Sequence, residues 1–303
     1  MWLPVEIIYL NLNMKISTKK QDGELGLSVV IVCYRDEGNI PEIYRRLSNI
    51  LPSIVSSYEI IFVNDGSPDN SEAILREIAS RDKKVTVIIQ ARNFGTQNAF
   101  TAGMEQALGR AVIIMEGDLQ DPPELIPEFV KKWREGYEVV YGTRRKREAS
   151  LGKIKEFVYH LFYIIFSKLS YMKVPKDAGE FSLMDRRVVD IINGMPERNR
   201  WLRGLRAWVG FKQIGIEYIR PERFWGKSTN SLMALTKYAR KAIFSFSYAP
   251  IELVSSIAVF TMILTVGAII FYLVSYFLKG APQGFMTLIT VVLIVGQIPS
   301  GPF

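Results

Sequence analysis

A stretch of 26 residues without a charged side chain, residues 253–278, is the strongest constraint on how this chain can fold. A helix rises about 1.5 Å per residue, so this stretch is long enough to cross a hydrocarbon core of about 30 Å. Hydrophobic residues make up 49% of the 303-residue chain, although 22% of its residues are charged. Both fractions are explained if the apolar residues are concentrated in this stretch. The sequence therefore predicts a globular part followed by a C-terminal membrane part.

Two further segments lie at the ends of the chain, one after the apolar stretch and one before the globular part. A second apolar run, residues 285–298, follows a short loop, but at about 1.5 Å per residue it reaches only about 21 Å. We therefore predict a membrane hairpin over residues 250–303 whose second helix is incomplete. Residues 1–26 lack the basic lead-in and the small-residue cleavage site of a secretory signal, and we assign them as an N-terminal extension. A single cysteine, Cys33, and a single histidine, His160, exclude a disulfide framework and a Cys/His zinc site.

A strongly basic segment precedes the apolar stretch. Residues 198–241 contain eleven basic and two acidic side chains, a net charge of +9 in a chain whose net charge is +8. Basic residues with interleaved aromatic residues suit either nucleic acid or an anionic membrane leaflet. Continuity with the apolar stretch favours the membrane and argues against nucleic acid, so residues 216–249 are predicted to be a basic amphipathic interface segment. The membrane hairpin predicts a multi-pass protein of the cell membrane. The positive-inside rule predicts that its globular part faces the cytosol.

The globular part, residues 27–215, alternates between strand and helix patterns. Residues 27–33 are a continuous apolar, β-branched run, which is typical of a strand buried on both faces. Further strand patterns begin at Tyr58, Val85 and Ala111, and helical patterns separate them. The sequence therefore predicts an α/β fold with a mostly parallel sheet and helices on both faces. Ligands of such sheets bind at the carboxyl ends of the strands, where polar clusters follow the first, second and fourth strands.

The cluster after the fourth strand has the side chains of a divalent metal site. Glu116, Asp118 and Gln120 occupy alternate positions, Asp121 follows, and two prolines then end the strand. Oxygen ligands of this kind suit Mg²⁺ or Mn²⁺, which take one or two carboxylates together with the phosphates of a substrate. An isolated D-x-x-D is more often an acidic turn that closes a strand, but the position at a strand's carboxyl end favours metal binding here.

Several ordered motifs resemble those of family 2 glycosyltransferases with the GT-A fold, specifically the branch that acts on polyprenyl phosphates. They are Val-Asn-Asp65-Gly-Ser, Asp118-Leu-Gln120-Asp-Pro-Pro-Glu, Tyr-Gly-Thr-Arg144, Asp177-Ala-Gly-Glu180-Phe and Arg200-Trp-Leu-Arg203-Gly-Leu. The resemblance extends from residue 27 to the C-terminus. The chain departs from the family pattern in having Glu116 and Glu180 where the family usually has Asp, and Asp36 where it usually has Glu. Each departure keeps the charge.

The resemblance implies a Rossmann-like GT-A domain that binds a nucleotide sugar and a metal ion. The metal ligands, for Mg²⁺ or Mn²⁺, would be Glu116, Asp118 and Gln120. The residues that would bind the nucleotide sugar are Tyr34, Asp36, Asp65, Gly66 and Arg203. Asp36 and Asp65 follow strands and are suited to accept hydrogen bonds from ribose or base, although turn formation and helix capping explain them equally well.

The resemblance also assigns the acceptor side and the chemistry. Arg144, which lies in a family motif, would bind the acceptor phosphate, because arginine suits bidentate phosphate contacts. The basic cluster that follows it adds Lys153 and Lys155 as candidates, for which a solvated basic surface is the alternative. The residues with predicted catalytic roles are Asp118, Arg144, Asp177, Glu180 and Arg200. Asp177 and Glu180 would position the nucleophile or act as base, and a structural loop role explains them equally well.

These inferences predict a membrane-bound inverting glycosyltransferase. It would move one hexose from a nucleotide sugar, UDP-glucose or a relative, to polyprenyl phosphate and give a β-linked product. Two alternatives stay open at this stage. One is a GDP-mannose-dependent enzyme of the dolichol-phosphate mannose synthase type, and the other is a non-catalytic membrane scaffold that binds nucleotides. The oligomeric state, including a homo-oligomer, is also left open.

Overall fold

The computed structural model describes residues 26–144, 178–198, 200–226 and 247–280, together with residues 287, 290 and 291. The chain divides into two compact units, residues 1–246 and 247–303. Three predicted site residues, Lys153, Lys155 and Asp177, lie outside the described residues. Almost all of the predicted N-terminal extension and most of the predicted interface segment also lie outside them.

The first unit contains one seven-stranded sheet in the order β3-β2-β1-β4-β6-β5-β7. The strands are β1 (Leu27–Cys33), β2 (Tyr58–Asn64), β3 (Val85–Ile89), β4 (Ala111–Glu116), β5 (Val139–Arg144), β6 (Ala178–Asp185) and β7 (Gln213–Tyr218). The helices are α1 (Ile40–Ile54), α2 (Ser71–Arg81), α3 (Thr96–Gln106), α4 (Ile126–Arg134), α5 (Arg186–Gly194) and α6 (Leu202–Trp208). The strand predicted over residues 27–33 is confirmed, as are the strand starts predicted at Tyr58, Val85 and Ala111 and the helices between these strands.

The sheet is mixed, with most of its strands parallel. Four of the pairings, β1 with β2, β1 with β4, β2 with β3 and β5 with β7, are parallel. The strand β6 runs antiparallel to both of its neighbours, β4 and β5. The mostly parallel sheet predicted from the βα alternation is therefore confirmed, and the antiparallel β6 is a feature that the alternation did not predict.

Helices cover both faces of the sheet, as predicted. Alternate residues of a strand point to opposite faces, so Val29 and Ile31 of β1 belong to one hydrophobic cluster and Val30 and Val32 to the other. The first cluster includes buried residues of α1, α2 and α4, and the second includes buried residues of α3, α5 and α6. Burial on both faces explains why β1 is a continuous apolar run.

The strand directions gather the polar strand ends at one edge of the sheet. In the register of the parallel pairs, Cys33 lies beside Asn64 and Val32 beside Glu116. Because β6 is antiparallel to both neighbours, β5 runs parallel to β4, and β7 runs parallel to β5. The carboxyl ends of β1, β2, β4, β5 and β7 therefore share this edge with the amino end of β6.

The second unit contains one long helix, α7 (Ala249–Lys279). Its segment Ile251–Leu278 is long and apolar enough to cross a membrane by length and composition, and none of this segment is buried. Among the described residues this is the single candidate span. The predicted multi-pass hairpin is thus not supported, since only residues 287, 290 and 291 of the second apolar run are described.

The contact between α3 and β1 generates a stability prediction. A Cβ atom added at Gly103 of α3 would overlap the Cγ1 atom of Val30, which is fully buried in β1. We expect Gly103→Ala to lower the free energy of unfolding by about 1–2 kcal/mol, because overpacking outweighs the helix propensity of alanine. The measurement is the unfolding midpoint. The control is Gly194→Ala at the end of α5, where an added Cβ meets no atom within 4 Å. An unchanged midpoint in Gly103→Ala would contradict this packing.

Candidate active site

Two turns at the carboxyl edge of the sheet carry most of the predicted donor-side residues. The turn after β1 contains Arg35 and the turn after β4 contains Leu119, and each of these residues has φ of +59°. Positive φ is uncommon outside glycine and clusters at functional sites, where the surrounding structure compensates for the strain. Leu119 is buried, which anchors the turn that presents Asp118 and Gln120.

The carboxylates of Glu116 and Asp118 face a common position. The Nη2 atom of Arg220 lies 3.4 Å from Oε2 of Glu116 and 3.8 Å from Oδ2 of Asp118. Nη2 of Arg223 donates a hydrogen bond of 2.9 Å to the same Oδ2 atom. A single guanidinium nitrogen close to both carboxylates marks a place where positive charge is stabilised. Arg220 and Arg223 were not among the predicted site residues.

This position fits a divalent cation that takes two protein carboxylates. Among the described residues, no three His, Cys, Asp or Glu side chains form a complete ligand group. Mg²⁺ and Mn²⁺ use one or two carboxylates and complete their coordination with water and substrate phosphates, so two are sufficient. Gln120 lies next to the pair, but its side-chain Nε2 donates to the carbonyl oxygen of Pro221 at 3.3 Å.

The acids of this turn are shifted toward their neutral forms. Loss of hydration raises the pKa of Glu116 and of Asp118, and the neighbouring carboxylates add to both shifts. Burial is also the largest influence on Asp36 after β1, whose pKa is raised to about 6. Positive charge placed next to these groups would favour their ionised forms.

Asp121 accepts hydrogen bonds from the acidic turn and from Tyr218, which lies beside Arg144. Its Oδ1 atom accepts a hydrogen bond of 2.9 Å from the Tyr218 hydroxyl, and its Oδ2 atom accepts from the backbone N–H of Glu116 at 3.3 Å. Tyr218 is buried, and this burial together with Asp121 raises the pKa of its hydroxyl, which stays protonated as a donor. Arg144 lies beside Tyr218 in the sheet register, and each side chain influences the pKa of the other.

The predicted nucleotide-binding acids are held by their own turns. Asp65 is buried, and its two carboxylate oxygens accept hydrogen bonds from the backbone N–H groups of Phe94 and Gly95. Gly66 has φ of +59°, and a Cβ atom there would overlap the loop backbone at residues 92–93. Asp36 accepts from the N–H of Tyr34 at 2.9 Å and from Asn39 at 2.8 Å.

These contacts give Asp36 and Asp65 the turn-forming role that the sequence had left open. Their role toward a nucleotide stays a prediction, and so does the role of Tyr34.

On the acceptor side, Glu180 and Arg203 form a buried ion pair. Nε of Arg203 donates to Oε1 of Glu180 at 2.8 Å, and the Glu180 side chain is only 4% exposed. The structure therefore brings together a residue predicted to act on the acceptor and one predicted to bind the donor. The pair stands close to Arg144, since Arg203 is one of the charges that influence the Arg144 guanidinium.

Arg200 has contacts of a different kind. Its Nε atom donates to the carbonyl oxygen of Glu197 at 3.1 Å, and its Nη2 atom donates to the carbonyl oxygens of Asn193 and Met195 at 3.1 and 2.9 Å. These bonds tie the buried Arg200 to the loop between α5 and α6. No acidic site residue is among these partners, and the catalytic role of Arg200 stays a prediction.

The chain is similar to known proteins over most of its length. The family model described as "Glycosyl transferase family 2" matches residues 28–192. The chain is 40% identical over 274 residues to the uncharacterized glycosyltransferase YkcC of Bacillus subtilis, with 89% of this chain and 84% of the relative covered. It is 33% identical over 273 residues to the bactoprenol glucosyl transferase of Shigella phage SfV, with 90% and 89% covered. A similar solved structure is the mannosyltransferase PcManGT of Pyrobaculum calidifontis in complex with GDP-Man and Mn²⁺, with a TM-score of 0.47, 14% identity, and 99% and 92% of the two chains covered.

The family model spans more than half of the chain and includes the turns after β1, β2 and β4. The two relatives extend the similarity to about nine-tenths of the chain, beyond the end of the family model. The resemblance predicted from the motifs is confirmed by both findings. The chain therefore belongs to glycosyl transferase family 2 and is a glycosyltransferase.

Proposed function

We propose that this glycosyltransferase moves one hexose from a nucleotide sugar to a polyprenyl phosphate at the cytosolic face of a membrane. The observation that carries the proposal is that Glu116, Asp118 and Arg144 lie at one edge of the sheet, where Asp121 is hydrogen-bonded to Tyr218, the register neighbour of Arg144. A donor with a diphosphate requires a cation, and an acceptor with a phosphate requires an arginine. This edge supplies residues for both.

On the donor side, Glu116 and Asp118, with Gln120 next to them, would hold Mg²⁺ or Mn²⁺. The cation would stabilise the charge that builds up on the departing nucleoside diphosphate. Asp36 and Asp65 lie at the ends of β1 and β2, where a nucleoside would reach the sheet edge. The bactoprenol glucosyl transferase among the relatives supports a glucose donor such as UDP-glucose, and GDP-mannose is the alternative.

On the acceptor side, the protein has to bind the lipid phosphate but does not need a strong base to remove a proton from it. A phosphate monoester has a second pKa of about 6, so a lipid phosphate is largely a dianion at neutral pH and is already nucleophilic. The residue best placed to bind it is Arg144, at the carboxyl end of β5. Its Nε atom is buried and has no hydrogen-bond partner among the described residues, which supports a role in binding an anion from outside the chain.

The transfer is a displacement at the anomeric carbon. An oxygen of the acceptor phosphate forms a bond to that carbon, and the bond from the carbon to the donor's phosphate oxygen breaks. The electron pair of the broken bond stays on the nucleoside diphosphate. A single displacement inverts the configuration, so an α-linked donor gives a β-linked polyprenyl-phosphate sugar. Glu180, near the amino end of β6, would position the acceptor, and Arg203, which is ion-paired with it, would bind the nucleotide sugar.

The membrane part of the proposal has support from two features. The segment Ile251–Leu278 is a candidate span, and three apolar side chains of the predicted interface segment, Ile219, Phe224 and Trp225, are more than half exposed. Exposed apolar and aromatic side chains next to basic ones suit a membrane interface. The similarity to the bactoprenol glucosyl transferase also supports a lipid acceptor.

Removal of the metal ligand is the first functional test. Asp118→Asn should abolish transfer with little change in the unfolding midpoint, because the residue is at a turn and its carboxylate is crowded by other acids. Transfer by the unchanged chain should be lost in EDTA and return with Mg²⁺ or Mn²⁺. The measurement is transfer of radiolabel from UDP-glucose and GDP-mannose to a short-chain polyprenyl phosphate.

The matched control is Asp190→Asn, which removes an exposed acid of α5 that pairs with Arg186 at 3.5 Å. This variant should retain full activity. Undiminished transfer in EDTA would refute the metal assignment. Nucleotide binding without transfer from any donor would favour the non-catalytic scaffold instead.

Loss of the acceptor arginine gives a different kinetic signature. Arg144→Ala should raise the KM for lipid phosphate by roughly ten- to a hundredfold, the value of a lost charge-assisted contact, and should change the KM for nucleotide sugar much less. In Arg144→Lys, the KM for lipid phosphate should lie between that of the unchanged chain and that of Arg144→Ala. The control is Arg110→Ala, an exposed arginine just before β4 at the opposite edge of the sheet. A selective rise in the KM for the donor would place Arg144 at the diphosphate instead.

Membrane attachment is tested by extraction. The full chain should stay in the membrane pellet after an alkaline carbonate wash, because a predominantly apolar helix with a 28-residue candidate span is not released by salt or pH. A chain that ends at Tyr248 should bind nucleotide sugar but transfer poorly to an acceptor embedded in vesicles. Recovery of the full chain in the supernatant would contradict the membrane assignment and return nucleic acid as the partner of the basic segment.

A further inference from the structure

Two arginines that follow β7 occupy the position that a divalent cation would need. Nη2 of Arg220 lies 3.4 Å from Oε2 of Glu116 and 3.8 Å from Oδ2 of Asp118. Nη2 of Arg223 donates a hydrogen bond of 2.9 Å to the same Oδ2 atom. The two guanidinium groups carry the same total charge as one Mg²⁺ or Mn²⁺ ion. A carboxylate oxygen that accepts a hydrogen bond from a guanidinium along this direction cannot also coordinate a cation there, because the two positive groups would repel each other.

We propose that residues 220–226 form an arginine latch, which closes the metal site of the unliganded protein and has to open before a divalent cation binds. The inference rests on the proposed function insofar as the cation is the one that the sugar donor requires. It goes further by assigning Arg220 and Arg223 as competitors of the metal. The protein alone would then have a low metal affinity, set by the closed latch.

Neutral contacts also hold the latch closed. The side-chain Nε2 of Gln120 donates to the carbonyl oxygen of Pro221 at 3.3 Å. The indole ring of Trp225 packs on Gly38, where an added Cβ atom would lie 2.5 to 2.9 Å from three ring atoms. The segment is therefore held at the two arginines, at Pro221 and at Trp225. A chance approach of two surface arginines to the acids would not explain the contacts of Pro221 and Trp225.

Exposure indicates which partner moves. The side chains of Arg220 and Arg223 are 21% and 22% exposed, whereas that of Asp118 is 5% exposed. Asp118 is also held by the backbone N–H of Gln120, which donates to its Oδ1 atom at 3.0 Å. The arginines thus reach the acids from the solvent side, and opening moves the latch while the carboxylates stay in place.

A latch and a supporting contact make opposite predictions for the metal. If the arginines compete with the cation, their removal strengthens metal binding. If they orient Asp118 for the cation, their removal weakens it. The sign of the change in Mn²⁺ affinity therefore distinguishes the two roles without any measurement of transfer.

The experiment measures Mn²⁺ binding to the full chain in detergent micelles without nucleotide, from the electron paramagnetic resonance signal of the free ion. Arg223→Gln should bind Mn²⁺ about tenfold more tightly, because one charge-assisted hydrogen bond no longer competes. Gly38→Ala removes no charge but displaces Trp225, and it should also bind Mn²⁺ more tightly, by a smaller factor. Asp118→Asn should lose the site. The matched control is Arg187→Gln, which removes an arginine that pairs with Asp185 and Glu138 away from the metal motif and should leave the affinity unchanged.

An Mn²⁺ affinity that is unchanged or weaker in both Arg223→Gln and Gly38→Ala would overturn the latch. The proposed function would survive that result, provided that Asp118→Asn still abolishes binding and transfer. The absence of Mn²⁺ binding in every variant would overturn the latch together with the metal assignment. Tighter binding in both variants, combined with no transfer from any donor, would support the latch and refute the proposed function.

Discussion

The arrangement of the site depends on one electrostatic constraint, the crowding of three carboxylates in a single turn. Glu116, Asp118 and Asp121 lie within six residues at the end of β4, and loss of hydration raises the pKa values of the first two. Such a group is stable only if donors and positive charges compensate it. Asp121 is satisfied by the Tyr218 hydroxyl and by backbone. The other two acids are left facing solvent-side cations, which explains why the same place suits a metal ion and a pair of arginines.

The sheet topology brings the compensating groups to the acids. Tyr218 is the last residue of β7 and Arg144 the last residue of β5, and the two lie side by side in a parallel pair. This pair ends at the same edge as β4 only because β6 is inserted antiparallel between β4 and β5. Glu180 reaches this edge from the amino end of β6. The residues proposed to bind donor and acceptor therefore lie at one edge because of the strand order, which cannot be read from the order of the motifs along the chain.

Much of the site could be predicted from the sequence, and the exceptions have physical reasons. The positions of Glu116 and Asp118 at a strand end follow from local pattern, because apolar runs and breakers are local signals, whereas Arg144 followed from a family motif. The partners of Asp65 and Arg200 do not follow from pattern. Each side chain binds backbone groups of a nearby loop, and loop conformations leave no periodic trace in a sequence. Arg220 and Arg223 were counted only as part of a basic segment, since a run of positive charge does not reveal which acid each residue contacts.

The sequence by itself determined the α/β class, the family, the acidic turn and the apolar helix, because composition, periodicity and ordered motifs are properties of neighbouring residues. The tertiary structure alone decided that Tyr218 binds Asp121 beside Arg144, that Glu180 pairs with Arg203, and that Arg220 and Arg223 contact the acids of the turn after β4. These contacts link residues up to about a hundred positions apart. They exist because strand pairing and burial set the distances between charges, and electrostatic compensation depends on those distances rather than on separation along the chain.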